Sequence, residues 1–397
     1  MAPKVAFITG GNGITGSAII SYLAKYTIKE EWSSIIVTSR SPFKTLVSDS
    51  RIKFIALDFT KDSRTLAEEM RETCAPVTHA YFSSYVHKDD FVELNKANRA
   101  LFENFLGALV DVGQNLQNVS DYVNPMQGSN RVIDRQVQVT LQTGGKYYNV
   151  HLKSVPSPAN EDDARLATFD ENFYYPQEDC LTEKQKGQQW SWNIIRPEAI
   201  IGHTSKPNGM NSALTYALYF LVQKELGKEA AMPTNQIYWR GVDDCSDSGL
   251  IAELTVGAST NQHAANQAFN AVNGDYFTWR YMWPRIAEYL GAKISSDYQF
   301  KKPEPKEGSV QQEFSLAEWA QDKRPVWDKV CEKAGVPEAK ASWDAGTWQY
   351  QDWVFQRAWN ATISFNKARE FGFTGYRDSY KSIVQAWEDM RKAKQIP

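Results

Sequence analysis

The residues that most clearly could do chemistry are a run of glycines near the start of the sequence. Gly10, Gly13 and Gly16 follow the apolar, β-prone residues 5–8 and precede residues 17–23, which have the composition of a helix. Glycines at this spacing let a strand turn sharply into a helix, and they let a pyrophosphate reach the unpaired N–H groups of the helix N-terminus. The alternative is an ordinary strand–helix turn. We predict a dinucleotide site formed by one continuous segment, namely Gly10, Gly11, Asn12, Gly13, Ile14, Thr15 and Gly16.

The end of the second predicted strand indicates which dinucleotide would bind. In NAD-binding folds an acidic residue at this point contacts the ribose 2′-hydroxyl, whereas this sequence has Ser39 and Arg40. A guanidinium suits a 2′-phosphate, so NADPH is predicted rather than NADH; the alternative is that Arg40 is a solvated surface charge. Other residues expected to contact the cofactor lie at or after later strand ends: Asp58, Phe59, Ser83, Lys146, Pro197 and Ile200.

A reductase of this fold needs a tyrosine and a lysine near the nicotinamide, usually spaced Y-x-x-x-K on one helix. That spacing occurs at 289–293 and 298–302, but both segments lie too late in the chain and are interpreted as structural. In the expected place, between the fifth and sixth predicted strands, Tyr175 is followed four residues later by Asp179 rather than by lysine. Lys146, directly after the fifth strand, is the cation available at the edge where ligands bind.

Alternating strands and helices would position these residues. Strands are predicted at 5–8, 34–38, 52–58, 77–84, 137–143 and 191–197, with helices at 17–23, 65–73 and 90–112. This alternation predicts an α/β fold, a Rossmann-like doubly wound parallel sheet. Residues 1–205 would form the NAD(P)-binding domain, with 114–136 as a loop insertion. Residues 206–397 would form a mostly helical substrate-binding lid, except that a late strand near 268–272 would join the sheet.

Composition narrows the class of protein. With a net charge of −3, the chain has no basic surplus for binding nucleic acid or an anionic membrane. No apolar run approaches the roughly 20 residues of a membrane span, and the early first strand predicts no signal peptide, so a cytoplasmic location is expected. The histidines and cysteines lack metal-ligand spacing, so no metal is predicted. A homodimer is a further expectation for this fold class.

Several segments together resemble the progesterone 5β-reductase/iridoid synthase-like (PRISE) family of atypical short-chain dehydrogenases. The matching segments are the glycine turn, Arg40, L-Q-T-G-G-K at 141–146, N-F-Y-Y-P-Q-E-D at 172–179, and R-P-E-A-I-I-G at 196–202. The resemblance continues through 269–275 and 371–379 and covers nearly the whole chain. The insertion at 114–136 departs from the family pattern, and the loop between Lys146 and Tyr175 is shorter than in plant members.

The resemblance implies NADPH-dependent reduction of an activated carbon–carbon double bond in a bulky, apolar enone or enal. It implies that Lys146 and the second tyrosine, Tyr175, are the catalytic pair, with the Tyr175 phenol donating a hydrogen bond to the enolate oxygen. Tyr174 is the alternative if the helix begins one residue earlier. Other functions left open are carbonyl reduction of the extended short-chain type, a non-catalytic NADPH-binding module, and cyclisation or isomerisation.

Overall fold

A central parallel sheet organises the computed structural model, which describes residues 2–88, 90–113, 137–165 and 172–397. The strands are β1 (Lys4–Ile8), β2 (Trp32–Ser39), β3 (Ile52–Ala56), β4 (His79–Phe82), β5 (Gln138–Gln142), β6 (Ser191–Pro197), β7 (Ile200–Ile201), β8 (Val242–Asp243), β9 (Ser246–Asp247), β10 (Gln267–Ala271) and β11 (Phe277–Thr278). Seven of them form one sheet in the order β10-β6-β5-β4-β1-β2-β3, with every neighbouring pair parallel. This confirms the predicted Rossmann-like sheet.

The strand order reverses direction between β1 and β4. From β1 the chain builds outward to β3, then returns to β4 on the other side of β1. In such sheets ligands bind in the crevice at the carboxyl ends of the strands where the order switches. The glycine turn follows β1, so it lies at this crevice.

Helices cover both faces of the sheet and form most of the C-terminal half. They are α1 (Ile14–Tyr26), α2 (Ser63–Cys74), α3 (Phe91–Val112), α4 (Tyr174–Gln185), α5 (Ser212–Glu225), α6 (Gln236–Arg240), α7 (Ser248–Ser259), α8 (Trp279–Tyr289), α9 (Leu316–Ala320), α10 (Arg324–Lys333), α11 (Trp348–Phe355), α12 (Asn366–Glu370) and α13 (Ser379–Lys392). Short 3₁₀ helices span Gly145–Tyr148, Gln262–Ala264 and Pro337–Ala345. The predicted insertion at 114–136 lies outside the described residues.

Two apolar cores flank the sheet. On one face Phe82 of β4 packs against Phe102 and Phe105 of α3. On the other face the buried side chains of α1, including Ile20, pack with those of α7, including Ala252. Residues 206–397, predicted as a lid, thus also contribute helix α7 and strand β10 to the sheet and its covering layers. A parallel strand such as β10 needs a crossover connection before it, and α7 lies in that connection.

A further core, rich in aromatic side chains, holds the C-terminal helices together. Trp283, Trp327 and Trp387 are almost completely buried there and pack with Phe220 and other aromatic rings. Much of the high aromatic content of the chain is thus structural core. No helix in the described ranges has both the length and the apolar character needed to cross a membrane.

Candidate active site

A cavity of about 830 Å³ opens at the carboxyl edge of the sheet. It runs from the glycine turn to α11 and the residues that follow it. The predicted cofactor residues on its wall are Gly10, Asn12, Gly13, Ile14, Thr15, Ser39, Arg40, Phe59, Ser83, Lys146, Pro197 and Ile200. Since this volume lies within the range of ligand-binding cavities in proteins, a cofactor and a substrate group could share it.

The glycine turn brings backbone atoms to the cavity wall. Gly10 has a φ of +65°, a conformation that side chains rarely adopt, and a Cβ atom there would lie 2.9 Å from the Ser83 carbonyl oxygen. The Gly13 N–H donates to the Gly10 carbonyl oxygen at 2.8 Å, which closes the turn. Helix α1 begins at the next residue, Ile14, so the N–H groups of its first turn have no acceptor within the helix. Such a turn suits an anionic phosphate group.

The segment after β2 is tied to the glycine turn by one side chain. The Asn12 amide Nδ2 donates to Ser39 Oγ at 2.7 Å and to Ser41 Oγ at 2.9 Å. Arg40 lies between these two serines, exposed and on the cavity wall. The turn and the arginine therefore form one continuous polar surface.

Three of the predicted cofactor residues are absent from the cavity wall. Gly11 and Gly16 make room for packing: a Cβ on Gly11 would lie 2.3 Å from a methyl group of Val37, and one on Gly16 would lie 2.3 Å from the Gly10 carbonyl oxygen. Asp58 turns its carboxylate to Thr60, whose N–H and hydroxyl both donate to Oδ1. Its neighbours Leu57 and Phe59 line the cavity instead.

Lys146 lies on the 3₁₀ helix that follows β5, and its side chain reaches the cavity. Its Nζ lies 5.3 Å from the ring centroid of Trp353, a cation–π distance. Among the described residues, Nζ has no hydrogen-bond or ion-pair partner. Burial lowers the pKa of this ammonium to about 8, so most of it is charged at neutral pH.

The two neighbouring tyrosines point to different places. Helix α4 begins at Tyr174, and this side chain lines the cavity. A Cβ on Gly144 would lie 3.3 Å from the Tyr174 hydroxyl, so the glycine makes room for it. Tyr175 is not among the lining residues; its hydroxyl donates to the Tyr147 carbonyl oxygen at 2.8 Å, and only 1% of the residue is exposed. The preferred tyrosine thus lies behind the wall and its alternative lies on it, because successive helical residues differ in direction by roughly 100°.

Burial raises the pKa of the Tyr174 hydroxyl, and the neighbouring Tyr85 and Tyr350 add to the effect. The hydroxyl therefore stays protonated at neutral pH and can donate a hydrogen bond. No described residue accepts one from it.

A network of amide side chains holds the lysine turn against the start of α4. Asn172 Nδ2 donates to the Lys146 carbonyl oxygen at 2.7 Å and to Asn149 Oδ1 at 3.1 Å. Asn149, in a left-handed conformation with a φ of 62°, donates to the Tyr175 hydroxyl at 3.3 Å. The Tyr174 N–H donates to Asn172 Oδ1 at 3.2 Å, so Asn172 positions Lys146 and Tyr174 relative to each other. The N-F-Y-Y segment indicated that a tyrosine of this site lies at the start of α4. It did not indicate which of the two tyrosines faces the cavity.

The wall opposite the glycine turn includes residues to which the sequence analysis assigned no role. Glu198 follows β6, whereas Tyr350, Trp353 and Arg357 come from α11 and the residue pair after it. Arg357 Nη1 lies 3.9 Å from Glu198 Oε1. The motif R-P-E-A-I-I-G could have drawn attention to Glu198, but nothing local connects that residue to Arg357.

Behind this wall lies a buried group of ionisable side chains. Arg357 Nη2 donates to the Tyr238 hydroxyl at 3.1 Å, and that hydroxyl donates to Asp243 Oδ2 at 2.6 Å. Trp279 Nε1 donates to the same oxygen at 2.8 Å. These contacts hold Arg357 in place against the core of the C-terminal helices. In the part of the chain that the structure describes, no group of three or more His, Cys, Asp or Glu residues is arranged to hold a metal ion.

Comparison with known proteins places the chain in a family. A family model for the PRISE-like Rossmann-fold domain matches residues 6–397. The chain belongs to the PRISE family. This confirms the resemblance drawn from the motifs, and it makes the chain an oxidoreductase of the short-chain dehydrogenase type.

Three relatives align with essentially the whole chain. A protein of Penicillium aethiopicum named short chain dehydrogenase gsfE is 55% identical over 395 residues, covering 100% of both chains. The (S)-8-oxocitronellyl enol synthase ISY1 of Nepeta racemosa is 31% identical, over 99% of this chain and 93% of its own. A 3-oxo-Δ(4,5)-steroid 5β-reductase of Arabidopsis thaliana is 30% identical over the same shares.

Solved structures support the fold alone. The Bordetella bronchiseptica enzyme WbmH, determined in complex with NAD⁺, superposes with a TM-score of 0.59 at 14% identity, covering 98% of this chain and 99% of its own.

Proposed function

We propose that this protein is an NADPH-dependent reductase of activated carbon–carbon double bonds in bulky, apolar enones or enals. The observation that supports this most directly is that Tyr174 and Lys146 share one cavity with the glycine turn and Arg40. Two of the aligned relatives bear names that describe a steroid 5β-reductase and an enol synthase.

The residues present fit a dinucleotide. At the glycine turn, the N–H groups at the start of α1 are available to a phosphate group. A Cβ atom at Gly10 or Gly13 would narrow the space for it. Arg40 offers a guanidinium to a 2′-phosphate, which favours NADPH over NADH. When bound, this cofactor supplies a hydride.

The chain's own residues would stabilise the charge that develops on the substrate. As the β-carbon gains a hydride, negative charge grows on the carbonyl oxygen, and a protonated phenol aimed at that oxygen stabilises it. We assign this role to Tyr174, in place of Tyr175, because only Tyr174 lines the cavity. The Lys146 ammonium, without a partner among the described residues, adds positive charge nearby and could hold a ribose hydroxyl.

The remaining wall favours an apolar substrate. Beyond the predicted cofactor residues it includes a set of aromatic and aliphatic side chains, beside polar ones such as Gln177 and Asn208: Tyr85, Val86, Leu101, Val150, Phe173, Met210, Tyr350, Trp353 and Val354. These apolar side chains can remove a hydrophobic ring system from water.

The test is NADPH oxidation with a panel of cyclic and acyclic enones, followed by identification of the product. We expect a saturated ketone or aldehyde. Tyr174→Phe should lower kcat by about 10²–10³-fold, the usual cost of losing one oxyanion donor, with NADPH affinity unchanged. The matched control is Tyr175→Phe, which should cost about 1 kcal/mol of stability through the lost hydrogen bond to Tyr147 and leave kcat within a few-fold.

Each alternative predicts a different result. An allylic alcohol as product would replace the proposal with carbonyl reduction. Tight NADPH binding without turnover of the panel would indicate a binding module. A large loss of kcat in Tyr175→Phe but not in Tyr174→Phe would return the role to Tyr175.

A further inference from the structure

Glu198 is a buried acid on the cavity wall whose role the proposed function leaves open. Only 9% of the residue is exposed. Its Oε2 is buried and makes no hydrogen bond to any described residue. A buried polar atom without a partner costs stability, so its presence on this wall calls for a functional explanation.

The backbone around Glu198 is held by a hydrogen bond and has an unusual conformation at the next residue. Its N–H donates to Ser246 Oγ at 2.8 Å. The next residue, Ala199, has a φ of 42°, which lies in the left-handed region. Local backbone strain of this kind is kept only where the surrounding structure holds it, and it clusters at functional sites.

Glu198 lies next to the reacting end of the cavity. A Cβ on Gly145 would lie 3.0 Å from Glu198 Cδ and 3.1 Å from Oε2. The preceding residue, Gly144, makes room in the same way for the Tyr174 hydroxyl. The carboxyl and the phenol therefore each approach one of two consecutive glycines in the turn after β5, whose Cα atoms are about 3.8 Å apart.

We propose that Glu198 is the acid that delivers a proton to the substrate α-carbon, while Tyr174 holds the adjacent oxygen. This inference rests on the proposed function. Hydride addition at the β-carbon leaves an enolate, whose α-carbon and oxygen are attached to the same carbon atom. A phenol and a carboxyl that approach consecutive residues of one turn would supply a donor for each of these two positions.

The atoms balance with Glu198 as the proton source. The O–H bond of the Glu198 carboxyl breaks as the α-carbon–hydrogen bond forms, and the enolate electrons return to make the C=O bond. The saturated ketone and a Glu198 carboxylate result, and the carboxylate regains its proton from water. Over the cycle one enone, one NADPH and one proton become one saturated ketone and one NADP⁺.

The charges around Glu198 suit both of its states. Burial raises the pKa of the Glu198 carboxyl above its usual range, whereas Arg357 opposes this and Asp243 adds to it, and the raised pKa favours the protonated form. The carboxylate that forms on proton transfer lies near the Arg357 guanidinium, which is 3.9 Å from Oε1 and stabilises the negative charge.

The first test uses an enone with a methyl group on the α-carbon, reduced with NADPH in D₂O. The wild-type protein should place deuterium on one face of the α-carbon and give one isomer. Glu198→Gln keeps the shape but cannot transfer a proton, so the enolate is protonated by solvent and a mixture of isomers should form. Glu198→Asp, which retains an acid, should keep the single isomer at a lower rate. NADPH affinity and thermal unfolding check that each variant is folded.

The second test runs the proton transfer backwards without cofactor. The saturated ketone is incubated in D₂O with the protein alone, and loss of the α-proton is followed by NMR. Glu198→Gln should lower the enzyme-catalysed exchange rate by about 10²–10⁴-fold, the usual contribution of a general acid or base. The control is Glu161→Gln, a partly buried glutamate off the cavity wall whose Oε1 accepts from the Asn270 N–H; its exchange rate should match that of the wild type.

The outcomes separate this inference from the proposed function. If no enone is reduced by the wild-type protein, the proposed function fails. If enones are reduced and Glu198→Gln still gives one isomer with unchanged exchange, the proposed function stands and Glu198 is not the acid. A rise in KM alone, with one isomer retained, would make Glu198 a substrate-binding group and would also overturn the inference.

Discussion

The two ends of the cavity are built from different parts of the chain. At the glycine turn the wall is largely backbone, contributed by one continuous segment between β1 and α1. At the other end it consists of side chains, with Lys146, Tyr174, Glu198 and Arg357 arriving from separate elements. Where backbone atoms form the wall, an added side-chain atom changes the shape of the binding site. Where side chains form the wall, a single substitution can change its chemistry and leave the sheet intact. The first end suits a constant ligand and the second a variable one.

The sharpest test of the backbone end is Gly16→Ala, for which we expect the largest effect. The added Cβ would lie 2.3 Å from the Gly10 carbonyl oxygen, a backbone atom that cannot turn away. We expect NADPH affinity to fall by at least about 100-fold, which corresponds to about 2.7 kcal/mol, because the turn must shift. Fluorescence titration with NADPH measures this.

A matched glycine provides the control. Gly257 lies within α7, and a Cβ there would have no atom within 4 Å. Gly257→Ala should leave NADPH affinity unchanged and raise stability by about 1 kcal/mol, the helix preference of alanine over glycine. If Gly16→Ala bound NADPH as tightly as the wild-type protein, the turn would be able to shift without losing the cofactor. That result would contradict the expected sensitivity of the backbone end to an added atom.

Arg40→Ser tests a charged side chain at the backbone end. If Arg40 binds a 2′-phosphate, NADPH affinity should fall by about 10–100-fold, since hydrogen bonds to charged groups contribute about 1.5–3 kcal/mol. NADH affinity should stay the same. Lys44→Ser, which removes an exposed charge from the same loop but off the cavity wall, should change neither affinity. Equal losses for both nucleotides would assign Arg40 to the common part of the cofactor.

The pH dependence of kcat/KM for NADPH tests the side-chain end. Burial lowers the pKa of Lys146 to about 8 in the free protein. The charged form is present below that pH and is lost above it, from about nine-tenths at pH 7 to about one-tenth at pH 9. We expect kcat/KM to fall about tenfold over this range, because this parameter reports groups of the free enzyme. Lys146→Arg stays charged and should remove the decline; the same decline in both proteins would point to another group.

The sequence was a good guide where structure depends on neighbouring residues. The glycine turn and the alternation of strands and helices are local patterns, and the sheet follows from them. Tyr174 and Tyr175 could not be separated, because a helix that begins one residue earlier exchanges which side chain faces the cavity. Asp58 was expected on the wall, but β3 ends at Ala56 and the side chain turns to Thr60. Glu198 and Arg357 meet only through the fold of the C-terminal half, which no local pattern encodes.

The hydrogen bond from Asn172 to the Lys146 carbonyl oxygen has an evolutionary consequence. It joins the two ends of the chain between these residues, so that Lys146 and the start of α4 stay close together when the length of that chain changes. Part of that chain also docks on the C-terminal half, where Trp359 Nε1 donates to the Val150 carbonyl oxygen at 3.1 Å. Insertions and deletions in the chain between Lys146 and Asn172 can therefore leave the spacing of Lys146 and Tyr174 unchanged.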